Sequence, residues 1–295
     1  MLRFCALSLL AIATFAADLQ IDHVTVAGSN LDAMRQAFLA AVGIAPEYGG
    51  QHTNGATEMA LVSFPDGSYL ELMAIRAHAD AQAVDHHEWS SFLTRNAGPC
   101  AFALRAPDLS AATAQLKQRG VAVSVIARNG RARPDGTRLE WQIANIGAGA
   151  RGTFFPFLIH DLTPRENRAD PSGRPTTDRY AGIAKVVLGV DDLDTAVHQY
   201  RRAFALPAPK RQRDRDFQAD LAWFEGTPIL LAHGLPGSWL EQRTREFGNL
   251  PCAFILGANS GLTGARASVW FNRPILWTDD SRLGWRLGIE PVSGR

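Results

Sequence analysis

Residues 21–46 read IDHVTVAGSNLDAMRQAFLAAVGIAP and residues 183–208 read IAKVVLGVDDLDTAVHQYRRAFALPA; the two lie over one another without a gap. Each is an apolar run of strand length, a polar capping step, and apolar residues at helical spacing. In the first copy Leu31, Met34, Phe38 and Val42 recur at i, i+3, i+7 and i+11. Ser29 or Asn30 is placed to cap that helix and Gly43 to end it. In the second copy Leu193, Ala196, Tyr200 and Phe204 form the stripe. Internal duplication fixes an architecture more firmly than any single motif. The copies also differ at one chemically telling place: His23 stands where the second has Lys185.

Outward from the first copy, strand-like runs follow around residues 46–50, 58–64 and 69–75, the last two joined by the turn sequence PDGS at 65–68. The unit is βαβββ. A second unit of the same pattern has a strand at 100–105, a helix at 109–119 stopped by Gly120, and strands at 138–146 and 154–160, with residues 131–136 inserted as a loop. Residues 161–180, DLTPRENRADPSGRPTTDRY, are polar and offer few apolar side chains for a core, which predicts a linker. The third unit repeats the first, with strands near 221–224 and 228–232. The fourth opens with a helix anchored by Trp239 and a strand at 251–256, then runs Trp-rich to 290 without an obvious helix. The predicted division is 18–162, a linker at 163–180, and a degenerate second half at 181–295.

At 295 residues and 46% hydrophobic, the chain is long enough for two domains. Its 30 basic and 29 acidic residues leave a net charge of +1, so no global field favours nucleic acid or an anionic membrane. The arginines at 128–138 and 211–215 lack interleaved stacking aromatics, which argues against RNA. The N-terminus, MLRFCALSLLAIATFAADLQ, has one positive charge, an apolar run from Phe4 to Phe15 and small residues at Ala16 and Ala17. It has the layout of a secretory signal, residues 1–17, and predicts an exported protein, periplasmic or secreted; a buried N-terminal element is the alternative. Cleavage would leave Cys100 and Cys252, in the near-identical strands PCAFAL and PCAFIL, expected as two buried thiols rather than a bridge.

A strand opening Ile21-Asp22-His23-Val24, a βαβββ repeat, and the strand YLEL after PDG together resemble the vicinal oxygen chelate superfamily, which includes glyoxalase I and the extradiol dioxygenases. The run GGQHTNGATEMALVSFPDGSYLELMAI (49–75) is similar to the glyoxalase-like domain subgroup. The resemblance implies an α+β fold of tandem βαβββ modules forming paired curled mixed sheets with helices on the outside. It implies metal ligands on the first and fourth strands of a module, here His23 and Glu71, with His52 matching a histidine recurrent in the subgroup. The partner module offers Ala101 on its first strand and Pro156 or Phe157 on its last, with His160 at that strand's end. Lys185 and Leu230 take the ligand places in the second half, so at most one cup holds a metal by this scheme.

Read from its surroundings, Glu71 lies in a strand apolar on both faces, where an unpaired carboxylate would cost several kcal/mol. A cation shared with His23 satisfies it; so does an ion pair to Arg133 or Arg138, or an exposed edge. A two-histidine, one-carboxylate set suits Fe, Mn, Zn or Ni, with no organic cofactor. Tyr69, Arg133 and Trp141 are the substrate-binding candidates, and Glu71 or His160 the general base. His86 to Trp89 read as surface, because adjacent histidines diverge on a helix. The expected function is a divalent-metal-dependent isomerase, lyase or dioxygenase acting on a small vicinal-oxygen or carbonyl compound. The competing class is a metal-free protein that binds or sequesters a small molecule. No second chain is needed to complete a cup, which predicts a monomer or weak dimer.

Overall fold

The computed structural model describes residues 19–133, 135–259, 266–278 and 280–292. The expected leader at 1–17 lies outside the described residues. The first module runs β1 (Ile21–Gly28), α1 (Leu31–Val42), β2 (Glu47–Gln51), β3 (Thr57–Ser63) and β4 (Tyr69–Ile75). Short helices α2 (Ala81–Asp85) and α3 (Ser90–Thr94) lead to the second: β5 (Gly98–Arg105), α4 (Leu109–Gln118), β6 (Ala127–Ala132), β7 (Arg138–Asn145) and β8 (Phe157–Asp161). After α5 (Arg165–Ala169) come β9 (Tyr180–Val190), α6 (Leu193–Phe204), β10 (Lys210–Asp214), β11 (Ala219–Trp223) and β12 (Ile229–Gly234). Then α7 (Trp239–Phe247) precedes β13 (Leu250–Ala258), β14 (Arg266–Trp270), β15 (Arg273–Trp277), α8 (Asp280–Leu283) and β16 (Arg286–Pro291).

Two modules make one curled, mixed eight-stranded sheet, in the order β2-β3-β4-β1-β5-β8-β7-β6, and the second half repeats it as β10-β11-β12-β9-β13-β16-β15-β14. The α+β class and the tandem modules are as the sequence implied. β1 is central, parallel to β4 and antiparallel to β5, and all eight of its residues are buried. A strand covered on both faces reads as a continuous apolar run, which is why His23 and Thr25 stand out in it.

The capped turns do what their residues allow. Asn30 accepts from the Ala33 N–H, and Gly43 closes α1 at φ 75°, donating its N–H to Leu39 O. Asp192 caps α6 in the same way, but Ala205 occupies the left-handed closing position at φ 53°. α1, α4 and α6 cover the outer face of each sheet. Those faces share one core: Val24, Phe102, Val186 and Phe254 from the sheets, with Phe38, Leu116, Tyr200 and Phe204 from the helices. Trp285 belongs to this seam, lying against Phe38 and Phe254. Cys100 and Cys252 are buried free thiols.

Two local expectations are corrected. Residues 131–132 belong to strand β6 rather than to an inserted loop. The polar stretch at 161–180 is not merely connecting chain: it carries α5, whose Arg168 is 5% exposed. Among the described residues no helix is long and apolar enough to cross a membrane.

Candidate active site

The inner face of the first sheet encloses a cavity of about 270 Å³. His23, His52, Tyr69, Glu71 and Trp141 line it, together with Met59, Leu61, Met73, Ile143, Phe157 and Ile159. Register explains the convergence. In the parallel β1–β4 pair His23 lies opposite Tyr69 and Thr25 opposite Glu71, so alternate side chains from both strands face one way. In the second module Ala103 lies opposite Phe157, the place matching Glu71, so an aromatic ring stands where a second carboxylate would be.

Glu71 is 7% exposed, and among the described residues no guanidinium clasps it. Its Oε2 accepts from Thr25 Oγ1 at 2.9 Å, and its Oε1 stands 3.3 Å from His52 Nε2. Burial pushes this carboxyl up, but the His52 hydrogen bond and the His52 and His23 charges outweigh it and hold it at about 2. The other nitrogen of His52, Nδ1, is bonded to Thr57 Oγ1 at 2.8 Å, so the loop residue is oriented from behind. The ion pairs expected as alternatives are absent among the described residues. Arg133 donates to the carbonyls of Asn167, Asp170 and Pro171, and Arg138 pairs with Glu140 on the surface.

His23 is held by a buried relay that the sequence did not reveal. Its Nδ1 donates to Asp22 Oδ1 at 2.6 Å, and its ring stacks on Tyr69 with centroids 4.8 Å apart. Asp22 is fully buried and receives both Arg165 and Arg168; the latter also bonds Asp161 and donates to the Tyr69 hydroxyl at 2.6 Å. Burial alone would raise Asp22, but the charges of Arg168 and Arg165 and the bond from His23 hold it well below the usual carboxylate range. Burial pushes the Tyr69 phenol up, so it stays protonated. A register shift between Ile21 and His23 lets neighbours in one strand meet, where a regular pleat would part them.

Two sequence candidates fall outside this cavity. His160 is out of phase with Phe157 and Ile159 on β8, and its Nδ1 bonds Ala106 O at 3.1 Å. Arg133 is also outside, while Arg131, two residues earlier, lines the wall. His87 and Trp89, expected at the surface, line it too, with Arg151 stacked over Trp89 and Phe157. Burial pushes His87 down. Their arrival depends on a break between α2 and α3, which no periodicity announces.

Donor chemistry at this site suits a divalent ion. His52 Nε2 and Glu71 Oε1 have the spacing of two ligands with bonds near ~2.1 Å meeting at about a right angle, roughly 3 Å. His23, with Nδ1 committed to a carboxylate, keeps Nε2 for a ligand, the arrangement of metal-bound histidines. Among the described residues, however, no three His, Cys, Asp or Glu side chains are gathered around one point, so His23 is not drawn in with the other two.

A family model described as a glyoxalase-like domain matches residues 21–204. The chain belongs to this family. The glyoxalase-like fold is shared with a hypothetical protein from Staphylococcus aureus, at 16% identity and a TM-score of 0.63 over 93% of this chain and 100% of that one. It is shared with the Mn(II)-bound glyoxalase from Novosphingobium aromaticivorans, at 12% identity and 0.52 over 92% and 81%. A xylose isomerase-like TIM barrel/4-hydroxyphenylpyruvate dioxygenase fusion protein matches at 10% identity and 0.57, over 95% of this chain and 50% of that one. No curated protein matches the chain. These likenesses place the glyoxalase-like chain in the vicinal oxygen chelate fold and say nothing of its substrate.

In the second half of this glyoxalase-like protein the cup is lined by aromatic side chains. Phe217, Trp223, Trp270 and Trp277 occupy its inner face, and Lys185 pairs with Glu290 where His23 stands in the first.

Proposed function

We propose that the first cup is the active site of an enzyme that moves a proton on a small carbonyl or hydroxy compound bearing vicinal oxygens, an isomerase- or lyase-type reaction. The observation that carries this reading is the Glu71–His52 pair: an ionised carboxylate and an imidazole 3.3 Å apart inside a cavity walled by both apolar and charged side chains. A hydrogen on carbon beside a carbonyl is the kind of proton such a pair transfers. The Glu71 carboxylate takes it while His52 donates to the carbonyl oxygen, giving an enol, and the proton returns to carbon in the product. Thr25 and Thr57 fix the two partners, and the Asp22 relay fixes His23 beside them. When a divalent ion is bound, His52 and Glu71 would hold it, and it would polarise the substrate oxygens. We place the enzyme outside the cytoplasm, on the strength of the apolar run at residues 4–15.

The test is deuterium wash-in from D2O, followed by proton NMR, over a panel of small 2-hydroxy aldehydes, 2-oxo acids and 2-hydroxy acids, with and without Mn(II). Exchange at the carbon beside the carbonyl, lowered at least about 100-fold by Glu71→Gln, is expected. No exchange with any member, or equal exchange by the variant, leaves a binding protein instead.

A further inference from the structure

β6 is the exposed edge strand of the first sheet, and its burial is inverted: of its six residues only Arg131 is buried. An isolated guanidinium taken out of water costs several kcal/mol unless it is paired. Yet Arg131, 8% exposed, has one hydrogen bond among the described residues, Nη1 to Gly49 O at 3.0 Å, and no carboxylate within ion-pair distance. The other cavity arginines are spent: Arg168 on Asp22 and Asp161, Arg151 on Glu88. The bond to Gly49 ties the two edge strands, β6 and β2, across the cup mouth. That tie uses one of five N–H donors and needs no fork.

We infer that the substrate carries a carboxylate and that Arg131 receives it, with the remaining N–H donors making the paired bonds a guanidinium offers a planar anion. This rests on reading the cavity as a substrate site. The apolar wall of Trp141, Phe157, Ile143 and Ile159 beside Arg131 takes an aromatic or branched body. A space of about 270 Å³ restricts the ligand to a small acid, below the ~300–1,000 Å³ of drug-sized pockets. With Glu71 and His52 lining the same cavity, the substrate class is a small aromatic or branched carboxylic acid with an oxygen on the neighbouring carbon.

The probes are mandelate and its uncharged isostere mandelamide, titrated calorimetrically into the full chain. Mandelate should bind about tenfold or more tightly than mandelamide, and Arg131→Met should bring it down to the amide's affinity while leaving the amide unchanged. Circular dichroism verifies the variant's fold; should it fail, Arg131→Lys, which keeps the charge and loses the fork, is expected to weaken mandelate alone. Equal binding of acid and amide, binding of neither, or mandelate affinity unmoved in the folded variant overturns the inference. Selective mandelate binding without deuterium wash-in sinks the catalytic reading and leaves the carboxylate site standing. Wash-in with no preference for the acid does the reverse.

Discussion

Asp22 joins His23 to Arg165 and Arg168 behind the site. It sits at zero exposure between two guanidiniums and the imidazole of His23. Asp22→Asn keeps the shape but removes the charge, leaving Arg168 buried against one carboxylate instead of two. The expected cost is about 3–5 kcal/mol at neutral pH, measured by urea unfolding; a loss below about 1 kcal/mol would show that the relay is not a structural element. The pH sign follows from its lowered folded value. Asp22's contribution is complete above the unfolded carboxylate range, near ~3.8, and is lost as pH falls through the lower folded value. The native chain should therefore lose stability steeply below about pH 4, and the variant less steeply. At this scale the sequence showed the residues that strand alternation marks: His23, Tyr69 and Glu71 on neighbouring ribbons, and Trp141. It could not show Arg168, which meets Asp22 across 146 positions, or Arg131, which lies two residues before the expected Arg133.

Elements were legible where periodicity was strong and hidden where it was not. Both copies of the strand-and-helix unit, with their caps, follow from spacing alone. β6, reading ARNGRA, has no alternation because only Arg131 is covered, and α5 has no apolar stripe because it buries Arg168 beside the single apolar Ala169. The duplicated helices also offer a direct comparison. Gly43 ends α1 in the left-handed region without strain, whereas Ala205 ends α6 there with a Cβ. Ala205→Gly should stabilise the protein by about 1 kcal/mol in chemical unfolding; an unchanged or lowered midpoint would mean that the methyl group's packing outweighs the backbone strain.

For the whole molecule, repetition disclosed the architecture but not how the halves meet. The helix-bearing faces of the two sheets share a core, and Tyr200 of one half donates to Phe154 O of the other at 2.5 Å. Arg243 joins them again, donating from Nη2 to Pro99 O at 2.6 Å and to Pro251 O at 3.0 Å, equivalent carbonyls of the two copies. Calorimetry should therefore show one cooperative transition for residues 19–292 rather than two; separated transitions would contradict a shared core. The two cups differ in what lines them. Four aromatic side chains and the Lys185–Glu290 pair line the second, where the first carries His23, His52 and Glu71.

Whether Glu71 stands ionised against an imidazole is tested most directly by carbon-13 NMR of the glutamate side-chain carboxyls, with the Glu71 signal assigned by its loss in Glu71→Gln. The signal should keep its carboxylate position through the neutral and mildly acidic range and titrate near about 2. Titration above the ordinary value of 4.5 would show a carboxyl that the imidazoles do not hold down, and the account of the Glu71–His52 pair would fall with it.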